Sequence, residues 1–194
     1  MEKAVCLASG GLDSLVCLKL LADEGVEAMP LLINYGQRAY QRESENLLAV
    51  CKKLQLPKPH IMDISGFGLT IRSGLTDPDL DVKDDAFTPN RNLLFLICAS
   101  AYAYLNGASS VVIGFLSART TIFPDQTDEF LLAAREAIRQ SLGRPIEIRT
   151  PLRSFSKNQV LELGRKIGIL SYYSCHAGTE HPCGRCIACL EYGG

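Results

Sequence analysis

Between an apolar run, Ala4 to Leu7, and a helical pattern, Asp13 to Glu24, the chain places Ser9-Gly10-Gly11-Leu12-Asp13-Ser14. No other stretch constrains the fold as much. A glycine-rich turn from a strand into a helix belongs at the carboxyl edge of a parallel sheet, where such folds bind ligands. Further strand patterns at Met29 to Ile33, Ile61 to Ile64, Val111 to Phe115 and Ile146 to Ile148 alternate with helical stretches at 39–54, 91–106, 127–141 and 156–168. The expected class is α/β, a doubly wound parallel sheet. Ser156 with Gln159 three residues on marks a capping box at the start of the last of these helices. The helix at 91–106 is apolar nearly all round and reads as buried. The segment from Ser65 to Asp85 holds five aspartates and reads as a mobile loop or arm.

At the Ser9–Ser14 turn, glycines let backbone amides approach an anion, the helix start adds partial positive charge, and Ser9 and Ser14 add hydroxyls. A phosphate-type anion fits that set. Neither Gly-x-x-x-x-Gly-Lys-Ser/Thr nor Gly-x-Gly-x-x-Gly occurs after a strand, so this is neither of the commoner nucleotide loops. Asp13 beside such a cradle makes sense if magnesium lies between its carboxylate and pyrophosphate. A plain strand-to-helix turn with Asp13 as a helix-start residue would use the same letters.

With 194 residues, 47% of them hydrophobic, the chain is long enough for one medium domain and an appendage, expected at 1–170 and 171–194. Its 20 basic and 21 acidic residues give no broad field for nucleic acid, so nucleic acid is not an expected partner without a local basic patch. The longest apolar run, Leu93 to Leu105, is too short to cross a bilayer, and the N-terminus lacks the plan of a secretory signal. A cytoplasmic protein with no membrane partner is expected.

Eight cysteines divide into four dispersed ones, Cys6, Cys17, Cys51 and Cys98, which read as small core residues, and four near the end. Cys183, Cys186 and Cys189 follow a Cys-x-x-Cys-x-x-Cys spacing, with Cys175 ahead of them, so four thiolates can close around one tetrahedral zinc. An iron–sulfur cluster is the rival, but the fourth cysteine three residues later is missing. His176 and His181 flank the ligands and read as supporting or solvated residues.

Other stretches carry local logic. Tyr35, Gln37 and Arg38 end a strand at the ligand edge, where Gln and Arg hold polar or anionic groups; a solvated Arg is the alternative. Arg91 begins the apolar helix, either facing phosphate or carboxylate or closing a structural ion pair. Lys157 sits in the first turn of its helix, unfavourable for a cation unless an anion is near.

Ser9 to Ser14 resembles the pyrophosphate loop of the N-type ATP pyrophosphatases. Asn34-Tyr-Gly-Gln-Arg38, Pro89-Asn-Arg-Asn92, Phe123-Pro-Asp125 with Glu129 and Phe130, Thr150-Pro-Leu152 with Lys157, and the terminal cysteines are similar to 7-cyano-7-deazaguanine synthases, in the same order and over nearly the whole chain. The resemblance implies an adenine nucleotide alpha hydrolase-like fold and a reaction in which ATP adenylates the carboxylate of 7-carboxy-7-deazaguanine. Ammonia then gives the amide, and a second activation gives the nitrile. It assigns Ala8, Ser9, Gly10, Gly11, Leu12, Asp13 and Ser14 to ATP and magnesium. Asp13, Arg91 and Lys157 become catalytic, and Tyr35, Gln37, Arg38, Asn90, Arg91, Asn92, Arg119, Phe123 and Asp125 take the substrate.

Three departures from the family's pattern stand out. Arg119 replaces an acid, with Gln126 and Thr127 replacing Cys and Arg; Asn34 replaces Asp; Tyr192 replaces Arg. They imply a divergent member whose acceptor is a larger amine, as in defence-associated relatives that conjugate a deazaguanine to a protein amine. Another N-type pyrophosphatase, thiolating tRNA or forming an amide, and a zinc-bearing binding module without catalysis are the other readings. A homodimer using the 65–85 arm is a further expectation.

Overall fold

A computed structural model describes residues 2–117 and 122–192, apart from the side chain of Tyr192. Five parallel strands, β1 (Lys3–Leu7), β2 (Glu27–Asn34), β3 (His60–Asp63), β4 (Ser110–Val112) and β5 (Glu147–Arg149), lie in the order β3-β2-β1-β4-β5. Beside them run α1 (Leu12–Asp23), α2 (Tyr40–Lys53), α3 (Gly66–Thr70), α4 (Arg91–Leu105), α5 (Asp128–Leu142), α6 (Lys157–Lys166) and α7 (Ile187–Tyr192). The chain leaves β1 towards β2 on one side and reaches β4 on the other, so the strand order reverses at β1 and a crevice opens at its carboxyl end.

The period of two along each strand sorts the core. Ala4, Cys6 and Leu32 face α1, α2 and α6, packing on Leu15, Leu18, Leu47 and Val160. Val5, Leu31, Ile33 and Ile148 face α4 and α5, packing on Leu96, Ala99 and Leu131. Cys6, Cys17 and Cys51 are buried apolar neighbours, and burial pushes their thiols up. The α6 capping box forms: Ser156 Oγ accepts from the Gln159 amide, and the Ser156 amide donates to Gln159 Oε1 at 2.8 Å.

Two expectations are corrected. One side of α4 faces outward, with Ile97 49% and Leu105 82% exposed, because the sheet and α5 cover only its other sides. The 65–85 segment is built into the molecule: Leu75, Val82 and Ala86 are buried, and Ser73 and Thr88 share a buried hydrogen bond of 2.7 Å. Its aspartates close their own turns. Asp77 accepts from the Asp79 amide, and Asp81 accepts from the amides of Lys83 and Asp84. Among the described residues no helix is long and apolar enough to cross a membrane.

Candidate active site

The Ser9–Ser14 turn is held from behind. Gly10 has φ +83°, and a Cβ there would lie 2.7 Å from the Glu43 carbonyl oxygen, so no other residue fits without displacing α2. The Gly10 carbonyl accepts from Asn46 Nδ2 at 2.8 Å and from the Tyr173 amide at 3.1 Å. Ser14 Oγ donates to the Gly11 carbonyl at 2.9 Å and accepts from the Ser9 amide at 3.3 Å. Gly11 caps α1 without any side-chain hydrogen bond, so the first amides of α1 open onto the crevice.

That crevice is a cleft of about 350 Å³. It brings together Ala8, Ser9, Gly11, Leu12, Asp13 and Ser14 from the turn, Tyr35, Gln37, Arg91, Asn92 and Phe123 from the substrate set, and Lys157. Lys157 Nζ reaches Asp13 Oδ2 at 2.8 Å and Glu191 Oε2 at 3.4 Å, which supplies the anions that its place in a helix first turn asks for. The Arg91 guanidinium lies 5.9 Å from the ring centroids of Tyr35 and Phe95, and its Nε is buried with no hydrogen-bond partner among the described residues.

Other predicted residues are engaged elsewhere. Arg38 Nη1 donates to the Gly74 carbonyl at 3.2 Å, tying down the 65–85 segment. Asn90 is exposed and turns the chain into α4 with φ +60°. Asp125 accepts from the Asn92 amide at 3.3 Å, capping α4, while Asn92 Nδ2 donates to the Asp125 carbonyl. Arg119 lies outside the described residues. The altered letters nearby have local uses: Gln126 Oε1 accepts from the amides of Ile122 and Phe123, Thr127 caps α5 by accepting from Phe130, and Asn34 Nδ2 donates to Asp63.

Several lining residues were not among those the sequence assigned to the cleft, including His176, which read as supporting or solvated beside the cysteines and is buried in the cleft wall instead. Glu43 stands on the first turn of α2 and accepts from Gln37 Nε2 at 2.9 Å; burial pushes its carboxyl up to about 7, against the Gln37 hydrogen bond and Arg91. Arg153 Nη2 is buried and has no partner among the described residues, while Nε holds Asp128 at 2.8 Å. His176, Tyr173 and Ile187 come from the terminal segment. Burial, helped by Arg91 and Lys157, pushes His176 down to about 4, so its imidazole is neutral, and its Nδ1 has no partner among the described residues.

The Sγ atoms of Cys175, Cys183, Cys186 and Cys189 lie within 4.8 Å of one another. A tetrahedral metal bonded to sulfur at about 2.3 Å needs sulfur separations of about 3.8 Å; Cys183 and Cys189 stand at 3.9 Å. The amides of Cys183, Cys186 and Cys189 each point at a cluster sulfur at 3.4 Å, which favours thiolates. Burial opposes ionisation of Cys175, but hydrogen bonds from Thr179 and nearby amides bring it down to about 6. The four residues fit one metal ion. Val82 and Ala188 pack on the cluster, joining it to the body of the fold.

The same architecture occurs in the U34-tRNA thiolase NcsA from Methanococcus maripaludis, 14% identical with a TM-score of 0.57 over 99% of this chain and 63% of that one. It occurs too in a 4-thiouridine synthetase, 21% identical with a TM-score of 0.57 over 99% and 49%. Sequence relatives are nearer. A 7-cyano-7-deazaguanine synthase of Campylobacter jejuni subsp. doylei is 32% identical over 97% of this chain and 91% of its own length, and one of Acetivibrio thermocellus is 34% identical over 98% and 90%. The model of the queuosine biosynthesis protein QueC matches residues 3–192. Since that match takes in the glycine turn, the cleft and the four cysteines alike, the chain belongs to the QueC family.

Proposed function

We propose that the cleft is the active site of an ATP-dependent ligase that adenylates the carboxylate of 7-carboxy-7-deazaguanine and transfers the acyl group to nitrogen. One observation carries this reading: the open amides at the start of α1, the Lys157–Asp13 pair and Arg91 line a single cleft. A carboxylate resists attack by an amine, whereas an acyl adenylate expels AMP. The carboxylate oxygen attacks the α-phosphorus of ATP and pyrophosphate leaves; ammonia then attacks the acyl carbon and AMP leaves with the former carboxylate oxygen. A second activation of the amide oxygen removes it as AMP and gives the nitrile.

The residues divide this work by charge. The open amides at the start of α1 hold phosphate oxygens. Lys157 and Arg91 stabilise the charge that grows on departing pyrophosphate. Asp13, a single carboxylate beside a phosphate cradle, is the donor expected for magnesium, which when bound neutralises charge between the phosphates. The four cysteines would hold zinc in a closed structural site.

The test is incubation with ATP, magnesium, 7-carboxy-7-deazaguanine and ammonia, with AMP, pyrophosphate and the deazaguanine product measured by mass spectrometry. AMP formation that requires the deazaguanine acid is the expected result. ATP cleavage indifferent to that acid, or none with it, rejects the substrate.

A further inference from the structure

We infer that Glu43 is the carboxylate that recognises the paired N–H and amino donors of the deazaguanine ring, and that Gln37 is the positioning residue that aims it. The inference rests on the substrate class proposed above and deepens it.

Gln37 is buried, and both of its amide N–H donors are committed. Its Oε1 accepts from the Tyr35 amide at 2.9 Å, and its Nε2 donates to the Ile33 carbonyl at 3.1 Å and to Glu43 Oε2 at 2.9 Å. Flipping that amide would set donor against donor and acceptor against acceptor, so its orientation is fixed by β2 and it has no N–H left to donate to a ligand. Glu43 is left with acceptor capacity. Among the described residues Gln37 is the only hydrogen-bond donor to its carboxylate, and the side chain lines the cleft. An ionised carboxylate has about four acceptor positions.

The other cleft acids are placed differently. Asp13 and Glu191 both face Lys157, at the phosphate end. Glu43 instead stands among Gln37, Arg91 and Tyr35, where Tyr35 and Phe95 form an aromatic wall. A flat ring stacks on such a wall. The edge of a guanine-like base carries an N–H next to an amino group, two donors that one carboxylate accepts together. The corresponding edge of adenine sets an amino donor beside a ring-nitrogen acceptor, which a carboxylate repels. Between the two bases this cleft must hold, Glu43 therefore fits the deazaguanine.

Calorimetric titration of the full chain tests this with three ligands: 7-carboxy-7-deazaguanine, its analogue lacking the 2-amino group, and ATP with magnesium. Wild type should bind the amino-bearing acid at least tenfold more tightly than the analogue, since a site built for a donor is left unpaired without it. Glu43→Gln should weaken the amino-bearing acid at least tenfold and erase the preference, leaving ATP affinity within threefold. Gln37→Met should shrink the preference too, whereas a merely structural glutamine would weaken both acids equally. Equal binding of the two acids by wild type, which needs no variant, overturns the inference while leaving the proposed substrate standing; so does a Glu43→Gln variant that loses ATP and acid alike. Wild type that binds ATP but neither acid overturns the substrate reading and this inference together.

Discussion

Lys157 Nζ lies 2.8 Å from Asp13 Oδ2, linking the first turn of α6 to the first turn of α1. Both groups line the cleft beside the glycine turn, at the phosphate end of the proposed site. Asp13→Asn keeps the shape and removes the charge, and Lys157 retains Glu191 at 3.4 Å. AMP release should fall by about 100-fold or more with the melting temperature nearly unchanged. Turnover equal to wild type would remove Asp13 from the chemistry.

Gly10 and Gly25 separate conformational strain from crowding. Both have positive φ, but a Cβ at Gly25 meets nothing within 4 Å, whereas at Gly10 it meets the Glu43 carbonyl at 2.7 Å. Gly25→Ala should cost about 1 kcal/mol. Gly10→Ala should cost more than twice that and abolish ATP binding, because α2 and the loop must part. Equal denaturation midpoints for the two variants would contradict this.

A metal held by the four cysteines would be both a staple and a support for the cleft wall. Purified chain should be colourless and carry about one zinc, and Cys186→Ser should release it and lower the melting temperature. Tyr173, His176 and Ile187 line the cleft from the same segment, so ATP affinity should fall with the metal. Iron and sulfide in the protein would sink the zinc assignment, and a melting curve equal to wild type would sink the staple.

Glu43 gives a pH dependence with a definite sign. Its folded-state value, pushed up to about 7 by burial, exceeds the ordinary 4.5, so across that interval the folded state binds more protons than the unfolded state. The carboxylate's contribution to stability therefore declines as pH rises from about 4.5 to about 7, and the penalty is complete above that. Glu43→Gln should raise the melting temperature by several degrees at pH 8, on the order of 2 kcal/mol, and change it little at pH 4.5. A variant less stable than wild type at pH 8 would show that the ionised carboxylate is not strained.

The fold was legible because its signals are local: apolar runs, the Gly10 and Gly11 turn, the Ser156–Gln159 cap and the cysteine spacing each act within a few residues. Glu43 was not legible, since an acid in a helix first turn ordinarily complements the helix dipole, and only the fold shows Gln37 directing it inward. The 65–85 aspartates misled for a related reason. Counting their charge suggests solvent, but oxygens of Asp77, Asp81 and Asp85 are occupied by neighbouring amides, and Leu75 and Val82 of the same segment are buried.

The hydrogen bond from the Tyr173 amide to the Gly10 carbonyl has a consequence for biosynthesis. The glycine turn is synthesised more than 150 residues before Tyr173, yet one of the two donors to the Gly10 carbonyl arrives only when the cysteine-bearing segment follows. A contact so distant in sequence closes late in folding. A nascent chain can lay down β1, α1 and β2 and still lack a rigid glycine turn until the cysteine-bearing segment has emerged and docked.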